Sequence, residues 1–307
     1  MDVQSIKQRL ESVCSINVTP FHPTSKSIEW NWLEENIEFL VKNGLDVIVP
    51  CGNTGEFYSL TLEEAKAVTK RVVEIVHGRA VVVAGIGYSL ESAIDMGKFA
   101  QQVGADAVMI HQPIHPYVTD SGILAYYRGI IESLNIPSVV YFKDPNISDD
   151  VLKQMAVLKN FIGVKYAIND LPRFSKLISE FPKNANVAFI CGTAEKWAPY
   201  FYFAGARGFT SGLVNVYPEK SFQLLRALQA GDAETMWAAW RDVIAFENLR
   251  AKYNNGNNVV VVKEAMNQAG LHGGVTREPV GPLDELDTTS VENILRTWGL
   301  LNKFNPA

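Results

Sequence analysis

Lys165 is the residue of this sequence best placed for covalent chemistry, ending the run Phe161-Ile162-Gly163-Val164-Lys165. Strand alternation puts Ile162 and Val164 on one face and Gly163 and Lys165 on the other. The aliphatic pair belongs against covering helices, so Lys165 points inward if the strand is part of a barrel. Desolvation there lowers a lysine pKa from about 10.4 and frees the amine to attack a carbonyl. The same position also suits a lysine that merely pairs with a carboxylate. Its neighbours favour chemistry. Tyr141 ends the preceding β-rich run, where a phenol beside an imine-forming amine can pass protons, although a tyrosine packed at a rim fits the same pattern. Gly52-Asn53-Thr54-Gly55 gathers an amide, a hydroxyl and backbone N–H groups in one tight loop, which suits a carboxylate or simply makes a turn.

Such residues need a scaffold that brings strand ends together. Eight β-rich runs recur along the chain: Cys14 to Thr19, Val47 to Cys51, Ala80 to Gly85, Ala107 to Ile110, Ser138 to Phe142, Phe161 to Tyr166, Val187 to Cys191 and Gly208 to Ser211. Helical periodicity fills the gaps, as in Trp30, Leu33, Ile37, Leu40 and Val41 closing at Gly44, and in a capping box at Thr61-x-x-Glu64 closing at Gly78. Strands alternating with helices predict an α/β fold, a (β/α)8 TIM barrel, rather than an open sheet. Pro218 to Tyr253 and Val260 to Ala269 read as additional C-terminal helices packed outside it. The expectation is one domain over 1–307, with the barrel at about 12–217 and a helical extension at about 218–307. In such barrels the reacting groups lie at the C-terminal ends of the strands. That shortlists Gly52 to Glu56, Tyr88-Ser89, His111-Gln112, Tyr141 to Asp144, Lys165-Tyr166, Gly192-Thr193 and Ser211-Gly212.

Composition narrows the partners. The 307 residues are 47% hydrophobic and 20% charged, and the net charge of -5 is spread along the chain, which suggests neither nucleic acid nor an anionic membrane as a partner. The longest apolar runs, Val81 to Ile86 and Val259 to Val262, are far too short to span a bilayer, and the polar start from Met1 to Arg9 lacks a signal-like core. A soluble, cytoplasmic protein is expected. Cys14, Cys51 and Cys191 lack metal or disulfide spacing and read as buried thiols, and the scattered histidines propose no metal site. Gly85-x-Gly87 has Leu90 where a dinucleotide fingerprint needs its third glycine.

Taken together, Thr19-Pro20-Phe21, GNTGEFYSLT (Gly52 to Thr61), Tyr141, IGVKYA (Ile162 to Ala167) and GVTREPVGPL (Gly274 to Leu283) resemble the dihydrodipicolinate synthase/N-acetylneuraminate lyase family of class I Schiff-base aldolases over nearly the whole chain. The resemblance implies that Lys165 forms the imine, Tyr141 transfers protons, and Asn53 and Thr54, with Gly52, hold the keto-acid carboxylate. Lys143 and Ser211 join them as candidate substrate contacts. It implies no metal or organic cofactor, a small 2-keto acid as partner, and a homo-oligomer, tetramer or dimer.

Within the family the chain departs from the synthase pattern. Asn53 stands where synthases carry the first of two threonines, and an amide cannot relay protons as a hydroxyl does. Tyr141-Phe142-Lys143-Asp144-Pro145-Asn146 lacks the arginine that grips the second substrate's carboxylate. The tyrosine that synthases borrow from a neighbouring subunit lacks a clear counterpart in Gln112-Pro113-Ile114-His115-Pro116-Tyr117, where Tyr117 or His115 could substitute for it. GNTGEFYSL, HPYVTDSG (His115 to Gly122) and the Tyr-x-Lys-Asp run look nearer to 5-dehydro-4-deoxyglucarate dehydratases. The favoured expectation is therefore a lyase acting on a 2-keto-3-deoxy sugar acid, with dihydrodipicolinate synthase, condensing pyruvate with aspartate semialdehyde, as the alternative. From another class comes a non-catalytic barrel that binds a sugar phosphate or keto acid, with Gly192-Thr193 and Ser211-Gly212 cradling phosphate.

Overall fold

Strands this short and apolar on both faces are stable only when helices cover one face and a closed sheet hides the other. The computed structural model describes residues 2–304 and shows that solution. Strands β1 (Val13–Ser15), β2 (Val47–Ile48), β3 (Val81–Ile86), β4 (Ala107–Ile110), β5 (Ser138–Phe142), β6 (Phe161–Tyr166), β7 (Ala188–Cys191) and β8 (Gly208–Ser211) pair in parallel in chain order and close where Val13 to Ser15 register with Phe209 to Ser211. Helix α1 (Val3–Leu10) precedes β1. Helices α2 (Trp30–Lys42), α3 (Leu62–Val76), α4 (Leu90–Val103), α5 (Asp120–Glu132), α6 (Asp150–Met155), α7 (Leu171–Glu180) and α8 (Ala194–Phe203) connect successive strands. The expected capping box forms, Thr61 Oγ accepting from Glu64 N–H while the Glu64 carboxylate accepts from Thr61 N–H.

Two apolar layers follow from strand alternation. Outward residues such as Phe142, Val164, Tyr166 and Phe209 pack beneath the helices. Inward residues, among them Val47, Val83, Met109, Val139 and Ile190, fill the barrel, which Ile6 and Leu10 of α1 close from one end. The expected alternation of β6 fails at Ile162. Ser138 registers with Phe161 but Val139 with Gly163, so Ile162 is an extra residue in a bulge and packs with the interior set rather than against helices. Past the bulge, Val164 faces out and Lys165 faces in.

The C-terminal part comprises α9 (Pro218–Ala230), α10 (Ala233–Arg250), the short α11 (Lys252–Asn255), α12 (Val260–Ala269) and α13 (Glu285–Trp298), the last not anticipated from sequence. Val243, Phe246, Val261, Met266, Val291 and Leu295 form a third core with Val18, Leu213 and Val216. Those last three residues follow β1 and β8. The extension is thus built onto the rim at the strands' C-terminal ends, beyond the bare outside packing expected, and brings charged residues to the barrel mouth. Among the described residues no helix is long and apolar enough to cross a membrane.

Candidate active site

Parallel pairing places Tyr141 directly beside Lys165 in register, both side chains inward. Lys165 Nζ lies 4.1 Å from the centre of the Tyr141 ring, and only 3% of Lys165 is exposed. Burial drives its pKa down to about 7, helped by the positive charges of Lys143 and Arg250 and opposed by the Cys14 and Cys191 thiols. A fraction of free amine is therefore present at neutral pH. Burial pushes the Tyr141 phenol up to about 12, against a lowering hydrogen bond from Asn53, so it stays protonated and able to donate.

The Gly-rich loop after β2 meets this pair. Asn53 Nδ2 donates to Tyr141 Oη at 3.2 Å, and Asn53 Oδ1 is buried with no partner among the described residues. Thr54 is 3% exposed, and Gly52 packs its α-carbon against Ile16. Lys143, half-buried, sits 5.5 Å from the Tyr58 ring and 5.7 Å from that of Tyr141, with its pKa lowered by burial. Gln112 Oε1 fixes this segment by accepting from the Lys143 and Asp144 N–H groups. His111 Nε2 lies 2.8 Å from Cys51 O, and the ring stacks on Phe57, so burial lowers its pKa to about 3. A β-carbon on Gly85 would lie 2.1 Å from that same carbonyl oxygen, which explains a glycine there without a nucleotide. The left-handed conformations of Cys51, Glu56, Tyr88 and Ala194 all fall at this rim, as strained backbone does around sites.

Ser211 does not join them. It shares the outward parity of Phe209, and its hydroxyl contacts Ser221 Oγ at 3.2 Å and accepts from Val214 N–H. The strand alternation that sends Lys165 inward sends Ser211 to the helix layer, which corrects its assignment as a substrate contact. Thr193 donates to Asn169 instead of lying free for a phosphate. Cys14, Cys51 and Cys191 are buried free thiols with pKa values pushed up to about 12 by burial.

Several rim residues escaped the sequence reading. Lys263 of α12 pairs with Glu56 at 2.5 Å, both essentially inaccessible, and donates to Val275 O at 2.7 Å. Burial lowers the Lys263 pKa to about 8, with Glu56 pulling the other way, so it remains a cation at neutral pH. Arg277 N–H donates to Glu56, its guanidinium grips Glu64 through two 2.7 Å bonds, and it lies 4.1 Å from the centre of the Phe21 ring, which Lys263 Nζ approaches to 4.3 Å. These bonds tie GVTREP to the Gly-rich loop. A lysine directly after the apolar run Val259 to Val262 was the available signal. Lys263→Met leaves Glu56 a buried unpaired charge, and a loss of about 3–5 kcal/mol is expected in denaturant unfolding. A loss below about 1 kcal/mol would show that the pair does not hold the loop.

Behind β8 lies a second charged group. Arg250 Nη1 donates to Glu247 at 2.7 Å, Nη2 to Asn258 Oδ1 at 2.6 Å and Nε to Asn258 O at 3.3 Å. Glu195 accepts from Ser221 Oγ at 2.5 Å, and burial, then Glu247, raises its pKa to about 7.

Comparison with known proteins agrees with this geometry. The model of the dihydrodipicolinate synthetase family matches residues 9–298. The 4-hydroxy-tetrahydrodipicolinate synthase of Methanocaldococcus jannaschii is 32% identical over 290 residues, spanning 92% of this chain and 97% of that protein. The crystal structure of dihydrodipicolinate synthase from Oceanobacillus iheyensis has a TM-score of 0.95 at 58% identity, covering 97% of this chain and 99% of that one. That of the Bacillus clausii protein has 0.94 at 56%, covering 96% and 99%.

Proposed function

The chain belongs to the dihydrodipicolinate synthetase family of Schiff-base-forming lyases that act on 2-keto acids, and on that premise we propose that Lys165 is its imine-forming residue. One observation carries the reading: a buried lysine with its pKa lowered to about 7 lies 4.1 Å from the ring of a protonated tyrosine. The free amine attacks the keto carbon, and the carbinolamine loses water to a protonated imine. That imine is an electron sink, so a proton can leave the neighbouring carbon to give an enamine. Tyr141 passes protons between these species and solvent, while Asn53, Thr54 and the backbone around Gly52 orient the near carboxylate.

Two readings of the second step differ in their support. The names of the relatives favour condensation of the pyruvate enamine with aspartate semialdehyde, and they support it better than the sugar-acid reading preferred from sequence motifs. Loss of water from a 2-keto-3-deoxy sugar acid is favoured by two local features. Asn53 offers an amide where a relay needs a hydroxyl, and Lys143 is the cation after β5 where a bidentate arginine is missing. Borohydride reduction with pyruvate or with 5-dehydro-4-deoxyglucarate, peptide mass spectrometry and parallel product assays decide the matter. A reduced adduct on Lys165 is expected. Turnover of the sugar acid without condensation would reject the synthase reading, and no adduct with either compound would reject the imine.

A further inference from the structure

The proposed carboxylate loop lacks something an anion requires in a dry pocket. Asn53, Thr54 and the loop N–H groups carry dipoles but no charge, and Lys165 must shed its own charge to attack. An ionised carboxylate entering such a place is costly unless a fixed cation meets it.

Arg250 is in position to be that cation. It ends α10, is 5% exposed, and its guanidinium lies flush against Gly212, the residue after β8. A β-carbon on Gly212 would stand 2.6 Å from Arg250 Nη2 and 3.3 Å from Thr54 Oγ1. Glycine at 212 therefore lets the guanidinium pack against the backbone there, close to the loop hydroxyl. The two atoms are at most about 6 Å apart, a span that the two oxygens of a single carboxylate bridge at ordinary hydrogen-bond lengths. Glu247 and Asn258 each hold one edge of the guanidinium, and a guanidinium has five N–H donors, so a further one remains on each terminal nitrogen. Its charge is also felt at Lys165.

We propose that Arg250, with Thr54, binds the carboxylate of the 2-keto acid beside Gly212, supplying from the C-terminal helices the cationic donor that the Gly-rich loop lacks. The role of Arg250 rests on the imine reading of the site. Because the guanidinium is permanently charged and held on two edges, it binds an anion without reorganising. It also disfavours the Lys165 ammonium and so favours the nucleophilic form.

The test compares pyruvate with pyruvamide, a neutral ketone of nearly the same shape, in borohydride trapping on Lys165 across a concentration series. In Arg250→Met the half-saturating pyruvate concentration is expected to rise by roughly 10- to 100-fold, as loss of a charged hydrogen bond implies. Pyruvamide trapping should barely change, so the preference for the acid collapses. Unchanged pyruvate trapping overturns the proposal, and so does a parallel rise for both ligands, which marks Arg250 as structural support alone. If Arg250→Met does not fold, Gly212→Ala crowds the guanidinium aside while leaving Glu247 paired, and the same collapse or its absence decides. Failure of the wild type to form any adduct refutes the imine itself. Calorimetric titration with the two ligands then reads the Arg250 claim independently, by the same criterion.

Discussion

Lys165→Met is expected to reduce kcat by roughly 10⁴-fold or more, because the proposed mechanism draws its electron sink from the imine that Lys165 would form. Lys143 also lies over the Tyr141 ring, but at 5.7 Å against 4.1 Å for Lys165, and it leans toward the Tyr58 ring at 5.5 Å. The wild-type kcat/KM should rise with pH through about 7 as the Lys165 ammonium loses its proton, then level off. Steady-state assays from pH 5.5 to about 9 check this, with mass spectrometry after borohydride as a control. A variant within tenfold of wild type, or a pH profile without the acid limb, would place the chemistry elsewhere.

The same substitution has a second signature, in stability. The folded pKa of about 7 lies below the ordinary lysine value of 10.5, so between those values the unfolded chain binds more protons than the folded one. Wild-type stability from this group therefore rises with pH across that window, and the full penalty is present below about 7. At pH 7 and below, Lys165→Met is expected to be more resistant to denaturant by on the order of a few kcal/mol, a difference that shrinks toward pH 10. An active site that holds a desolvated amine is paid for in stability elsewhere.

Tyr141→Phe is expected to lower turnover by roughly 10²- to 10⁴-fold while leaving the Lys165 adduct able to form. The ring that lies beneath Lys165 Nζ survives in phenylalanine, so the environment of the amine is largely kept. What disappears is the hydroxyl, the acceptor of the Asn53 Nδ2 bond, on the residue that strand register sets directly beside Lys165. Exchange of the pyruvate methyl protons with deuterated solvent isolates the step. Slowed exchange with near-normal saturable trapping is the expected pattern. Exchange at the wild-type rate would show that Tyr141 is packing at the rim, with its proton role held by another group.

Much of this site is legible in the sequence. Period-two patterning in β6 put Lys165 inward, the position of Tyr141 near the end of the preceding strand put it beside Lys165, and turn chemistry marked the Gly52 to Gly55 loop, because these signals are local in the chain. The limits were local as well. An extra residue in β6 turned Ile162 into the barrel, since a bulge inserts one residue without a sequence mark. Parity sent Ser211 to the helix layer, where Ser221 and the Val214 N–H take its hydroxyl.

The amino-acid sequence by itself determined the barrel, the inward placement of Lys165 and the polar loop that faces it, because strand period and glycine placement act over a few residues. Only the tertiary structure decided that α10 and α12 return to the mouth, setting Lys263 on Glu56 and Arg250 against Gly212. Those contacts join residues 207 and 38 positions apart. No local propensity encodes such pairings; they arise when the third apolar core docks the extension onto the rim and leaves its buried charges to find the only partners within reach.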